Sequence, residues 1–336
     1  MRAFQITGTE GFPSLQLTTL PDPQPGPSEV LVRIRSVSLN YRDCMNVLGI
    51  RGVTGPVPRI PCSDAAGEIA ALGPEVTDWQ VGDRVVLPFM PSWLSGPFTQ
   101  DHAAAALGGA IDGVLRDLIA LPAASLVAVP EGVTLDQAAT LPCAAVTAWN
   151  ALITRGGLQP GQTVLILGSG GVSVFALSIA RLAGARVLAI TSSDEKAHRL
   201  RQLGAAEVLN YRDTPDWHLW ARQQTGGEGV DHVVEIGGPE TLNRSIQAVR
   251  HGGHIALIGV LTGTVGQIET VHLLRKGLRL NGIYVGSRDL LAQVTQCVAQ
   301  GGLLPVIDRV FPFEASAEAL RHLESGAHFG KIVIQL

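Results

Sequence analysis

Charge, aromatic rings and cysteine are all scarce in this sequence. Charged residues make up 16% and aromatic residues 5% of the 336 positions, against ~25% charged in an ordinary globular chain. With 46% apolar residues and 39 glycines, such a chain buries a large core, and disorder is excluded as its general state. The 25 Lys and Arg nearly balance the 29 Asp and Glu, leaving a net charge of −4. That balance argues against binding driven by nucleic-acid phosphates and gives no polybasic membrane surface. Cys44, Cys62, Cys143 and Cys297 stand far apart with no C-x-x-C pair, which disfavours a disulfide scaffold and a four-cysteine zinc cluster. No apolar core of signal-peptide length follows Met1. The long apolar stretch from Thr163 to Ile190 is broken by glycines and Arg181, as a strand–turn–helix–strand would be and a membrane span would not. These absences lead to the expectation of a cytoplasmic enzyme.

What is present falls into two textures. Up to about Cys143 the chain is rich in Pro and Gly between short β-type runs such as Val30–Arg35 and Arg84–Leu87. That pattern suits a small, strongly bent β-barrel. From Ala144 apolar strands alternate with helical segments. The candidate strands are Thr163–Leu167, Arg186–Thr191, Glu207–Leu209, His232–Ile236, His254–Ile258 and Leu278–Val285. Such alternation implies parallel strands joined by right-handed crossovers, hence an α/β, doubly wound parallel sheet. Arg288–Ala299 reads as a helix, and the tail through Lys331–Leu336 returns to the first domain.

The strongest local signal is the run from Thr163 to Ser173, TVLILGSGGVS. A buried strand enters Gly168-Ser169-Gly170-Gly171-Val172 and continues as a helix. Gly168 permits a tight turn, and Gly170 lets the backbone approach a pyrophosphate. The helix N-terminus offers free N–H groups to that anion. Ser173 replaces the third glycine of the usual pattern. At the tip of the next strand, where an acidic residue would grip a ribose 2′-hydroxyl, stand Thr191, Ser192 and Ser193, with Lys196 one turn into the helix. This favours NADP(H) over NAD(H). The competing reading makes Ser193 or Asp194 a helix cap and Lys196 a solvated face residue.

Further motifs lie at Asn40-Tyr41-Arg42-Asp43, at Pro61-Cys62-Ser63-Asp64-Ala65-Ala66-Gly67-Glu68, at Val81-Gly82-Asp83-Arg84-Val85 and from Ala139 to Trp149. Together with the glycine turn, Leu203-Gly204-Ala205 and Asn210-Tyr211-Arg212, they cover essentially the whole chain. With them the sequence resembles the medium-chain dehydrogenase/reductase superfamily, in its zinc-free branch of quinone oxidoreductase-like and enoyl reductase-like members. The resemblance implies a GroES-like β-barrel domain (1–143 and 286–336), a Rossmann domain (144–285) and an active site in the cleft between them. It also implies a homodimer paired through the edge strand 278–285.

Zinc-dependent members hold a catalytic metal with Cys, His and Cys, and by motif position those ligands fall here on Asn40, Ser63 and Cys143. Since a catalytic zinc needs three protein ligands, the expectation is that no zinc is bound. The structural zinc is likewise expected absent, because no cysteine lies between Cys62 and Cys143. The nine histidines show no ligand spacing and are expected mostly at the surface.

Without a Lewis acid, conjugated acceptors, which spread developing charge, are the favoured substrates. The resemblance agrees, implying reduction of quinones, enals, enones or enoyl thioesters. A metal-free alcohol dehydrogenase or aldehyde reductase, and a non-catalytic NADPH-binding protein, are the alternatives. By resemblance, Asn40 is a hydrogen-bonding group of the active site, with Ser63 and Asp64 beside it. Thr147 contacts the nicotinamide. Tyr41 reads either as a proton donor or as a packed aromatic of the barrel wall. Arg42 and Asp43 read as an ion pair. For the cofactor, the resemblance adds Tyr211 near the adenosine, and Gly237 with Ile258, Gly259 and Val260 near the nicotinamide. Arg288 reads either as approaching the cofactor or as sitting near the start of the next helix, and Lys331 either as reaching the pyrophosphate or as a solvated C-terminal lysine. Residues 89–112, with Trp93 and Phe98, take the place of the metal lobe.

Overall fold

The computed structural model describes residues 1–50 and 57–336, which divide into two compact units. The first comprises Met1–Val146, Val285–Gly301 and Pro305–Leu336; the second comprises Thr147–Tyr284 and Gly302–Leu304.

In the first unit the ten-residue strand Glu29–Ser38 organises the sheet. Val30, Val32 and Ile34 face inward while Arg33 and Arg35 face outward, the two-residue period of a half-buried strand. It pairs antiparallel with Asp64–Leu72 along its length, with Leu118–Pro122 at one end and with Lys331–Gln335 at the other. The last two follow one another along its second edge, and register shifts in its pairing with Asp64–Leu72 mark irregularities of the kind that bend a strand. Ile307–Pro312, Arg84–Val86 and Val127–Ala128 complete a seven-stranded sheet, and Arg2–Ile6 with Leu15–Thr19 forms a separate hairpin. The C-terminal strand therefore brings Lys331 beside Leu39, whose N–H donates to Ile332 O at 3.0 Å.

In the second unit six parallel strands lie in the order Glu207–Asn210, Arg186–Thr191, Thr163–Leu167, Val230–Glu235, Val249–Leu257 and Arg279–Gly282. Counted within the unit this is 3-2-1-4-5-6, the order of dinucleotide-binding sheets, with its reversal between Thr163–Leu167 and Val230–Glu235. The edge strand is shorter than the 278–285 expected. It ends at Gly282, and Val285 takes a left-handed φ of 56°, which cannot continue a strand.

Six of the nine histidines are exposed or half-buried, and three, all in this unit, are buried: His218, His232 and His254. His232 and His254 solve their burial by pairing. Their Nδ1 atoms lie 3.2 Å apart and His232 Nε2 lies 2.9 Å from Gln162 Oε1. Burial holds both rings neutral, lowering each pKa to about 4, aided by Arg279 and, at His232, opposed by Asp231. Because the folded pKa lies below the ordinary 6.5, the unfolded chain binds more protons in between. Stability is therefore full above pH ~6.5 and falls as the pH drops toward about 4. Thermal unfolding followed across that window should show the decline, and His232→Gln/His254→Leu should flatten it.

Candidate active site and dinucleotide crevice

The glycine turn of the second unit has the backbone its sequence requires. Gly168 takes φ 75°, a region closed to most side chains, and its N–H donates to Ile190 O at 2.7 Å. Gly170 caps the helix Gly171–Leu182 without a side chain, so the first-turn N–H groups of Gly171, Val172 and Ser173 have no capping oxygen. Ser173 fills the third glycine position by turning its hydroxyl back to donate to Leu167 O at 2.6 Å, fully buried. Ser169 is buried beside it. The arrangement fits a pyrophosphate.

At the neighbouring strand tip Thr191 is buried, and its carbonyl accepts from the N–H of Tyr211 at 2.9 Å. This brings together two residues predicted far apart in the chain. Ser193 is the N-cap of Asp194–Gln202, its Oγ accepting from the N–H of Lys196 at 3.3 Å. The capping role and a phosphate contact are compatible, because the Ser193 hydroxyl proton is not used by the cap.

Sequence reasoning passed over Glu235, the last residue of its strand at the sheet's reversal. Its carboxylate is fully buried. Oε1 accepts from Gly237 N at 2.7 Å, Gly238 N at 3.0 Å and Thr241 Oγ1 at 2.6 Å, and Oε2 accepts from Ser245 Oγ. Gly238 has φ 97°. One carboxylate thus shapes the loop Gly237-Gly238 and the start of the helix Pro239–Ala248. Ile258 N and Gly259 N both donate to Glu235 O, and a Cβ at Gly259 would lie 2.0 Å from Ile236 O. Packing of the two strand ends is what demands glycine at 259, with Val260 following. Thr147 is buried in this unit.

The first unit holds a buried polar cluster. Asn40 precedes the helix Tyr41–Leu48, and Asp43 reaches back to accept from Asn40 N at 2.8 Å. Tyr41 is half-buried in the first turn. Asp64 opens the strand Asp64–Leu72 and Ser63 precedes it, and both are fully buried. Asp64 accepts from Ser63 Oγ at 2.7 Å and from Cys143 N at 2.9 Å. Cys143 itself lies in a π-helical turn, Leu141–Ala145, a geometry recurrent at functional sites. Burial, reinforced by Asp64, pushes the Cys143 thiol up to about 12. Burial also raises the Asp43 carboxyl to about 6 against the pull of Arg42.

Three expectations are corrected here. Lys331 was expected at the pyrophosphate; its ammonium is buried in the first unit and donates to Leu39 O and to Asn40 Oδ1, each at 2.6 Å. Arg288, expected at the cofactor, donates from Nε and Nη2 to Leu126 O at 3.2 and 3.1 Å. Arg42 does not pair with Asp43. It donates to Leu107 O at 2.7 Å and lies over the Phe89 ring at 4.4 Å, anchoring residues 89–112. The sequence signal for Lys331 was its place one residue after Gly330, at the start of a strand whose neighbour is Leu39.

The donor set at positions 40, 63 and 143 fits a dication poorly. The Asn40 oxygen already faces an ammonium and Ser63 is hydrogen-bonded to Asp64, which leaves Cys143 as the single soft ligand where a catalytic zinc needs three protein ligands.

A dinucleotide-type sheet with this glycine turn, in one chain with a GroES-like unit, defines a nicotinamide-dependent oxidoreductase. Residues 26–131 match the alcohol dehydrogenase GroES-like domain and residues 171–300 the zinc-binding dehydrogenase family. A zinc-type alcohol dehydrogenase-like protein of Schizosaccharomyces pombe is 39% identical over 333 residues, covering 97% of this chain and 96% of its own. The crystal structure of an NAD-dependent alcohol dehydrogenase has 34% identity and a TM-score of 0.90, with 100% of each chain covered. A mycobacterial protein solved with NADPH has 26% identity and a TM-score of 0.85, again over 100% of each chain. The chain belongs to the medium-chain dehydrogenase/reductase superfamily, and it is an NAD(P)H-dependent oxidoreductase. Among the described residues no helix is long and apolar enough to cross a membrane.

Proposed function

We propose that the protein is a zinc-independent, NADPH-dependent reductase of conjugated acceptors: quinones or α,β-unsaturated carbonyl compounds, enoyl thioesters among them. The observation that carries this reading is the ammonium of Lys331 on the Asn40 oxygen, at a position where zinc-dependent relatives place a metal ligand. A cation already sits against one member of the would-be ligand set, and a second cation there would be repelled by it. Without a metal, acceptors that delocalise charge are the ones hydrogen bonds alone can serve.

A bound nicotinamide cofactor would supply the hydride. Gly168–Val172 would hold the pyrophosphate, Thr191, Ser192, Ser193, Lys196 and Tyr211 the adenosine end, and Gly237, Ile258, Gly259, Val260 and Thr147 the nicotinamide end. The absence of an acidic residue at Thr191–Ser193 favours the 2′-phosphate, although the 34%-identical solved relative is described as NAD-dependent. Fluorescence titration with NADPH and NADH should give at least a tenfold preference for NADPH, about 1.4 kcal/mol, and Lys196→Ala should narrow it.

The active species is read as a cytoplasmic homodimer. The Arg279–Gly282 strand lies at the open edge of its sheet, and an unpaired edge is usually covered.

The test is a steady-state panel of one quinone, one enone, one enoyl thioester and one simple aldehyde with NADPH. Turnover concentrated on the conjugated compounds supports the reading. Turnover of the aldehyde alone replaces it with an alcohol dehydrogenase or aldehyde reductase, the activity in the relatives' names.

A further inference from the structure

We infer that Lys331 is a positioning residue: it fixes the Asn40 side-chain amide so that its N–H faces, and hydrogen-bonds, the carbonyl oxygen of the acceptor. Choosing a carbonyl oxygen rests on the function proposed above; the orientation of the amide does not.

An ammonium has three N–H donors and no acceptor. The Asn40 atom 2.6 Å from Lys331 Nζ is therefore the amide oxygen, by chemistry and not by convention, although amide oxygen and nitrogen are otherwise easily exchanged. The same ammonium is fixed by Leu39 O at 2.6 Å. The backbone around Asn40 is held independently, with its N–H on Asp43 Oδ2 at 2.8 Å and Leu39 N on Ile332 O at 3.0 Å. With its backbone and its oxygen engaged, the residue has one polar group left, Nδ2. That atom is buried and has no hydrogen-bond partner among the described residues.

A buried donor left unpaired costs about 1–3 kcal/mol. Rotation of the amide by half a turn is no remedy, because it would set N–H against N–H at Lys331. The ammonium thus keeps the donor pointed where the protein offers it nothing, and an oxygen acceptor gaining negative charge is the complementary partner. The positive charge directly behind the amide strengthens that donor by polarising it. This is the arrangement of an oxyanion-stabilising donor backed by a fixed cation, built here from two residues 291 positions apart.

The experiment compares Lys331→Met, Lys331→Gln and Asn40→Asp on whichever panel compound the wild type reduces best. Lys331→Met removes the donor that orients Asn40, Lys331→Gln keeps an N–H for its oxygen without the charge, and Asn40→Asp removes the presented N–H. We expect kcat to fall about 100-fold in Lys331→Met and Asn40→Asp, the size seen for loss of one oxyanion donor. Lys331→Gln should recover at least about tenfold of that loss. The dissociation constant for NADPH, read by fluorescence, should stay within about twofold throughout, a factor worth only ~0.4 kcal/mol. A second readout needs no turnover. The ¹⁵N–¹H signal of the Asn40 amide, identified by its loss in Asn40→Asp, should shift strongly in Lys331→Met and little in Lys331→Gln.

An unshifted amide signal, or full kcat in Lys331→Met, overturns the inference. So does a loss of NADPH affinity in step with kcat, which would mark Lys331 as merely structural. Should Lys331→Met not fold, full kcat with an unmoved amide signal in both Lys331→Gln and Lys331→Ala overturns it equally. If the wild type reduces only the aldehyde, the proposed function fails while the same variants still test the inference. If it reduces nothing, the amide signal alone decides.

Discussion

Glu235→Ala is expected to destabilise the protein by about 3–5 kcal/mol and to weaken NADPH binding at least about tenfold. The carboxylate accepts from two backbone N–H groups and two hydroxyls within a fully buried site. Hydroxyls can turn to other partners, but the N–H groups of Gly237 and Gly238 cannot, and each left unpaired costs about 1–3 kcal/mol. A loss of this size is a large fraction of the ~5–15 kcal/mol that holds a typical domain folded. The same N–H groups fix the loop at the sheet's reversal, where ligands of such sheets bind, so the cofactor should feel the change. Glu235→Gln retains one acceptor oxygen for the glycine N–H groups, and Ser245 can reverse its hydroxyl to accept from the new amide. It should lose only about 1 kcal/mol. Urea unfolding with cofactor titration checks both variants. Equal stability of the alanine and glutamine forms would refute the role given to these hydrogen bonds.

Asp64→Ala should lower kcat/KM for the acceptor by about 100-fold or more while leaving NADPH affinity nearly unchanged. Asp64 ties Ser63 to the π-helical turn at Cys143, and its removal leaves the half-buried Cys143 N–H without this acceptor. The electrostatics move as well. Asp64 helps to raise both the Cys143 thiol and the Asp43 carboxyl, so its loss should bring each down from about 12 and about 6 respectively. The Asp43 shift has a definite sign for stability. Its folded pKa lies above the ordinary 3.8, so folding takes up protons between the two values and stability declines as pH rises through about 6. Asp64→Ala should compress that window. A pH titration of thermal stability in wild type and variant reads it, and an unchanged profile would show that the two carboxylates do not communicate.

The parts of the fold legible in the sequence are those whose causes are local. The turn at Gly168 was readable because a positive φ between a buried strand and a helix calls for glycine. All six parallel strands followed from apolar runs, but only Thr163–Leu167 and Arg186–Thr191 with both ends: the strand expected from His254 already starts at Val249, across polar residues that carry no apolar signal, and the last ends at Gly282 short of Val285. Ser173 could be read as small enough, but not as a residue whose hydroxyl satisfies Leu167 O. The site was less accessible for the same reason in reverse. Lys331 and Asn40 meet only because the final strand pairs beside Glu29–Ser38, and no local spacing announces a contact across 291 positions. Its position after a glycine suggested a phosphate contact; burial and two oxygen acceptors assign it to the barrel unit instead. Glu235 was hidden differently. Its partners lie within ten residues, but a glutamate ending an apolar strand has no periodic signature, and only the folded loop turns four donors toward it. The His232–His254 pair was likewise invisible, since its members sit on neighbouring strands and share a face only in the assembled sheet.

The central claim is that hydrogen bonds and the Lys331 ammonium do at this site what a metal does in zinc-dependent relatives. Its most direct test is kcat/KM for the best conjugated acceptor before and after exhaustive chelation, with zinc measured on the same samples. Unchanged turnover at substoichiometric zinc is the predicted result. Activity that disappears with the metal and returns when one zinc per chain is restored would contradict it.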